Sequence, residues 1–180
     1  MKQTNLRTLI FCAMLAALGA VFSAYFSIEI PGFGGKVVEV SLTPVMVMLA
    51  GIFFGPLWGG MVGFVADTAG FFMGAQLGAY NPVFSITMAL FGVIAGLFYL
   101  KSKKITWLKT ILLVLVAQVV CSVVLNTLAI HLFYGVPLQA LIPTRTVAAA
   151  IEVPIYVVLL YLLAKALAFI IKGEKNKSAN

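Results

Sequence analysis

Six long apolar runs, divided by short polar or glycine- and proline-rich breaks, organise this chain. They lie at residues 8–28, 40–54, 57–73, 82–100, 107–133 and 145–171. At about 1.5 Å of rise per residue, most can cross a hydrocarbon layer of about 30 Å as helices. The run at 40–54 is short and so tilted or partly embedded, whereas 107–133 exceeds the need and must tilt or protrude. Between the first two runs, residues 29–39 (EIPGFGGKVVE) are rich in Gly and Pro and carry Phe33, which predicts a mobile outer loop able to cover something apolar. Gly55-Pro56 predicts a tight inner turn without charge. Outer loops follow at 74–81 and 134–144, the second bracketed by Pro137 and Pro143. The pattern predicts an all-α membrane protein, a six-transmembrane-helix bundle forming one domain over 1–172. A polar tail, GEKNKSAN, over 173–180 is expected to be disordered and cytoplasmic.

Composition makes the membrane reading firm, because 63% of the residues are hydrophobic and only 9% are charged. No water-soluble domain carries so little polar surface. A net charge of +7 would suggest nucleic acid in a soluble protein, but its placement here points to topology instead. On this layout ten of the twelve Lys and Arg fall on one side, and only Lys36 and Arg145 on the other. Basic residues mark the cytoplasmic side, so both termini are cytoplasmic and the span number is even. The length leaves no room for a nucleotide-binding engine. Cys12 and Cys121 sit within apolar runs and lack metal-type spacing.

Candidate chemistry gathers at the outer end. In the third run Gly59, Gly63, Asp67, Gly70 and Gly74 share one helical face, so a closely packed helix carries an acid in its middle. An acid facing lipid costs roughly 2.5–3.5 kcal/mol even on a lenient scale, so Asp67 faces protein, water or ligand. The fifth run repeats Gln118, Ser122 and Asn126 every fourth residue, a polar stripe for the bundle interior. The sixth run places Arg145, Ala149, Glu152 and Tyr156 on one face. Arg145 and Glu152 are about 10 Å apart along the axis, suited to holding two ends of one small molecule. With Glu29, Lys36, Glu39, Gln76, Tyr80, Asn81 and Tyr134, the residues Asp67, Asn126, Arg145 and Glu152 describe a cavity for a small polar, partly aromatic ligand. In the first run Ala13, Ala16, Ala17 and Ala20 form a small-residue face for another helix. No nucleotide, zinc-protease or hydrolase motif is present, which points away from an enzyme and from a resident metal or cofactor.

The six spans, the alanine face, the first loop and the run GIFFGPLWGGMVGFVADTAGFF together resemble substrate-binding S components of energy-coupling factor (ECF) transporters. Leu125-Asn126-Thr127-Leu128, the following Tyr-Gly loop and Pro-Thr-Arg145 are most similar to the folate branch. The chain differs from that branch at Val38-Glu39-Val40-Ser41, where a basic residue is usual, and at the opening of its fourth span. The resemblance implies a vitamin-binding subunit of the cell membrane whose first loop gates an outer site. It also implies a transmembrane coupling subunit and two ABC ATPases as partners, docked through Ala13 and Ala17, with delivery by toppling. For folate, Arg145 and Lys36 would meet the carboxylates, and Asp67 or Glu152 the amino-pyrimidine edge. The same set suits pantothenate, a hydroxymethyl-pyrimidine or a pyridoxine-type ring.

Overall fold

A computed structural model describes residues 3–26, 28–32, 35–74, 80–100 and 104–177, and side chains within 6–26, 41–74, 80–100, 104–133, 135–139 and 141–169. In chain order the elements are α1 (Gln3–Tyr25), β1 (Ile28–Gly32), β2 (Gly35–Val40), α2 (Thr43–Phe54), α3 (Pro56–Met73) and α4 (Pro82–Leu100). Then come α5 (Trp107–Ala117), a π-helical stretch (Gln118–Asn126), α6 (Thr127–Tyr134) and α7 (Leu138–Lys177). Since α5, the π stretch and α6 run on without a break, the bundle has six rods. Among the described residues, four apolar helical segments are long enough to cross a membrane: Leu6–Tyr25, Pro82–Leu100, Trp107–Phe133 and Leu141–Phe169. The short second span is confirmed as the 12-residue α2.

Three features correct the expected layout. The first loop is an antiparallel hairpin, with Ile28 opposite Val40, Glu29 opposite Glu39 and a register break between Ile30 and Pro31. Alternating β-branched residues favour the strands, and Pro31, which has no N–H to donate, sits at the irregularity. The third outer loop shrinks to residues 135–137. Gly135 ends α6 in the left-handed region at φ 66°, and α7 starts at Leu138, so Pro143 lies inside a helix. So early in α7, the missing N–H forfeits only the bond to the carbonyl of Gln139. At its other end α7 stays helical to Lys177, past residue 172, where the span was expected to give way to tail.

Small residues let α3 pack at backbone distance on three neighbours. A methyl carbon on Gly59 would lie 2.7 Å from Gly51 Cα, and one on Gly63 would lie 2.5 Å from Met88 O. Further along the same helix, a methyl on Gly70 would meet Ser23 Cβ at 2.6 Å. The glycine face seen in the sequence therefore serves α2 and α4 at its inner end and α1 at its outer end. Gly59→Ala should destabilise the bundle by about 1–3 kcal/mol, because only backbone can give way. Gly60→Ala meets the movable Val93 Cγ2 at 3.0 Å and should cost far less. Thermal unfolding of the two variants in one detergent checks the difference.

The inner end carries aromatic and cationic groups in pairs. Lys109 Nζ lies 4.1 Å from the Tyr99 ring centre, Lys165 Nζ 5.0 Å from that of Tyr161, and the Trp107 and Tyr161 rings meet edge-on at 4.7 Å. Such belts settle at a membrane interface. They agree with the cytoplasmic placement of this end, and leave the hairpin and the start of α7 outside.

Candidate functional site

The hairpin's exit is buried inside the bundle at Ser41 and Thr43. Thr43, the first residue of α2, donates its hydroxyl to Gly19 O at 2.9 Å, and its own N–H reaches Ser41 Oγ at 3.3 Å. Gly19 lies about 9 Å below the outer end of α1 at helical rise. The chain passes from β2 into α2 at this depth. From the other side Tyr156, 2% exposed, donates its hydroxyl to Ser41 O at 2.6 Å. The hairpin exit is thus tied to α1 and α7 at once, and β2 runs beside α7. Tyr156→Phe removes one buried hydrogen bond and leaves Ser41 O short of a donor, a loss of about 1–3 kcal/mol. Faster ligand release should accompany it, measurable by stopped flow.

On α7 the face expected from spacing does turn inward. Ala149, Glu152 and Tyr156 are buried, and Arg145, two turns into the helix, is half-buried. Glu152 is 5% exposed and accepts a short hydrogen bond from Gln118 Nε2 across to the π stretch. Gln118 and Ser122 of the polar stripe are buried and Asn126 is half-buried, with its Oδ1 buried and lacking a hydrogen-bond partner among the described residues. Since α6 and α7 run in opposite senses, the Gln118–Glu152 contact fixes their register. Eight residues up one rod and seven up the other put Asn126 and Arg145 at a common level, about 10–12 Å nearer the outside.

A second polar group sits between α3 and α4. Ser85 Oγ donates to Asp67 Oδ2 at 2.7 Å, and Tyr80 OH lies 2.9 Å from Ser85 Oγ and 3.0 Å from Thr68 Oγ1. The Tyr80 ring also packs on Phe71 and Phe72, at 5.2 and 5.6 Å between centres. Asp67 and Tyr80 therefore join two helices and fix the end of the loop between them. Asn81 accepts the Val83 N–H at 3.1 Å through Oδ1 and caps α4. Both arrangements give these residues a structural duty. Between α4 and α6 lies an apolar cleft of about 290 Å³, lined by Val83, Thr87, Leu90, Leu125, Ala129 and Leu132 among others.

The structure brings Arg145, Glu152, Asn126 and the backbone of β2 to one side of the outer half, and Asp67, Tyr80 and Asn81 to another. Lys36 and Glu39 lie on β2 by backbone position, with side chains outside the described set; Gln76 lies outside the described residues. Sequence reasoning left Gln118 out of the site and did not see Ser41, Thr43 or Tyr156 as a tie. For Gln118 a signal existed: a buried amide and a buried acid in antiparallel spans each need a partner. Nothing local marked the Ser41 carbonyl.

Over residues 7–164 the chain matches the family described as ECF transporter, substrate-specific component. The chain is an S component of an ECF transporter. This S component is 30% identical over 161 residues to the folate transporter FolT of Clostridium novyi (strain NT), covering 89% of this chain and 88% of that one. FolT of Leuconostoc mesenteroides is 26% identical over 166 residues, covering 89% and 86%. A crystal structure of FolT bound with folic acid superposes with a TM-score of 0.75 at 30% identity, covering 92% of this S component and 94% of that chain. As a substrate-binding membrane subunit rather than an enzyme, the S component implies an ECF module as partner and a vitamin as substrate.

Proposed function

We propose that this S component binds folate or a close relative with high affinity at its outer end. The identity shared with FolT of C. novyi over 89% of the chain carries the reading. The site supports it with a gradient of charge along the tie between hairpin and α7. Starting from the Tyr156–Ser41 bond, Lys36 lies five strand residues outward and Arg145 eleven helix residues outward, each about 16 Å. Glu39 and Glu152 lie about 6 Å outward by the same reckoning. By backbone position Lys36 and Arg145 thus lie at the mouth, level with Asn126, and Glu39 and Glu152 lie below them. A ligand with a carboxylate tail and an N–H-rich ring enters ring first. Asp67 supports the α3–α4 wall from behind.

In this reading ATP is hydrolysed by two ABC ATPases acting through a transmembrane coupling subunit, and the S component topples to present its cavity inward. Ala13 and Ala17 supply the docking contact: both are exposed, whereas Ala16 and Ala20 on the same helix are buried. Labelled folic acid taken up by proteoliposomes tests the assignment. Uptake should need this chain, a coupling module and ATP together, and unlabelled folic acid should compete where pantothenate, hydroxymethyl-pyrimidine and pyridoxine do not. Uptake by the chain alone would make it a self-sufficient carrier, and competition by another vitamin would reassign the substrate.

A further inference from the structure

We infer that Gln118 is a specificity-determining residue at the floor of the site: its amide N–H holds Glu152 while its Oε1 accepts from an N–H edge of the ligand. The inference rests on the folate reading above and names which part of the ligand is read deepest.

Gln118 is 2% exposed in the middle of an apolar span, and its Nε2 donates to Glu152 Oε2. Its Oε1 is equally buried and has no hydrogen-bond partner among the described residues. A buried acceptor that gives up water and gains nothing weakens the fold, so it is kept where something else fills it. The backbone singles out the same place. Gln118 opens the π-helical stretch, and π segments inside α-helices are frequent at functional sites. With the donor of Gln118 committed to Glu152, the pair offers acceptors side by side.

Adjacent acceptors complement adjacent donors. The 2-amino-4-oxopyrimidine half of a pterin presents such donors in its ring N–H and exocyclic amino group. A neutral pyridine nitrogen would meet the Gln118 oxygen lone pair to lone pair. Asp67, another acid in the outer half, is engaged by Ser85 on a different wall. Asn126 stands about two turns further out and reads another part of the ligand. The competing occupant is an ordered water, which satisfies such atoms in many proteins.

The test compares folic acid with 2-desamino-2-methylfolic acid, which lacks the exocyclic amino donors, by calorimetry on the purified full chain. Wild-type protein should prefer folic acid at least about tenfold, which corresponds to about 1.4 kcal/mol. Gln118→Met should weaken folic acid about tenfold and leave the analogue within twofold, so that the preference collapses. Asn126→Leu should weaken both compounds and keep the preference. Equal affinities in wild-type protein would overturn the inference without any variant, and so would a preference that survives in Gln118→Met, the outcome if only water fills the site. Absence of folic acid binding by the wild type would instead sink the folate reading beneath it.

Discussion

Arg145→Ala is expected to weaken folic acid binding about 100-fold or more while leaving the fold intact. Arg145 is half-buried on the inward face of α7, level with Asn126 and, by strand rise, with Lys36. Removing one member of a hydrogen-bonded charge pair at a partly desolvated site costs about 2–5 kcal/mol, and every 1.4 kcal/mol is tenfold. Arg145→Lys should recover only part, because the ammonium has no planar fork for a carboxylate. The ligand supplies the matching control: 6-hydroxymethylpterin has no carboxylate, and its affinity should be the same in both proteins. Titration of the two ligands against the two proteins closes the cycle, and an Arg145→Ala protein that binds folic acid normally would remove the anion-binding role.

Glu152 gives the second large effect, and two substitutions separate its two duties. In Glu152→Ala the Gln118 amide loses its acceptor in the bundle interior, and stability should fall by about 1.5–3 kcal/mol, the worth of a hydrogen bond to a charged group. In Glu152→Gln the new side-chain oxygen accepts the same N–H, so thermal unfolding should return close to wild type. Ligand binding should not return. A neutral amide beside a donor-rich ring replaces a charge-assisted hydrogen bond with an ordinary one, about half as strong, and folic acid affinity should drop by roughly tenfold or more. If Glu152→Gln matches wild type in both measurements, Glu152 is a packing residue and the floor of the site must be sought elsewhere.

The spans were legible because a membrane leaves few options: apolar stretches of the right length become helices, and basic residues set their direction. The hairpin was hidden by its own composition, since Pro31 and three glycines suggested a mobile connector while the pairing of Ile28 with Val40 closes it. Its depth was not legible at all, for it depends on Tyr156 reaching a carbonyl 115 residues earlier. The π stretch has no composition of its own either. In the site, the spacing on α7 correctly put Arg145, Glu152 and Tyr156 on one inward face. Asp67 and Asn81 were less transparent, because the same residue types make ligand contacts, helix-to-helix bonds and caps. For Asn81 the following Pro82 was the available clue, as Asn before Pro is a strong helix start. For Asp67 the partner, Ser85, is an unremarkable residue on another helix.

Equilibrium binding of labelled folic acid to the purified chain alone, without module or ATP, tests the central claim most directly. One folic acid should bind per chain, saturably, with a Kd on the order of nanomolar, about −12 kcal/mol. Excess pantothenate or pyridoxine should leave that binding unchanged. Failure to saturate at micromolar folic acid, or displacement by either of those vitamins, would contradict the account.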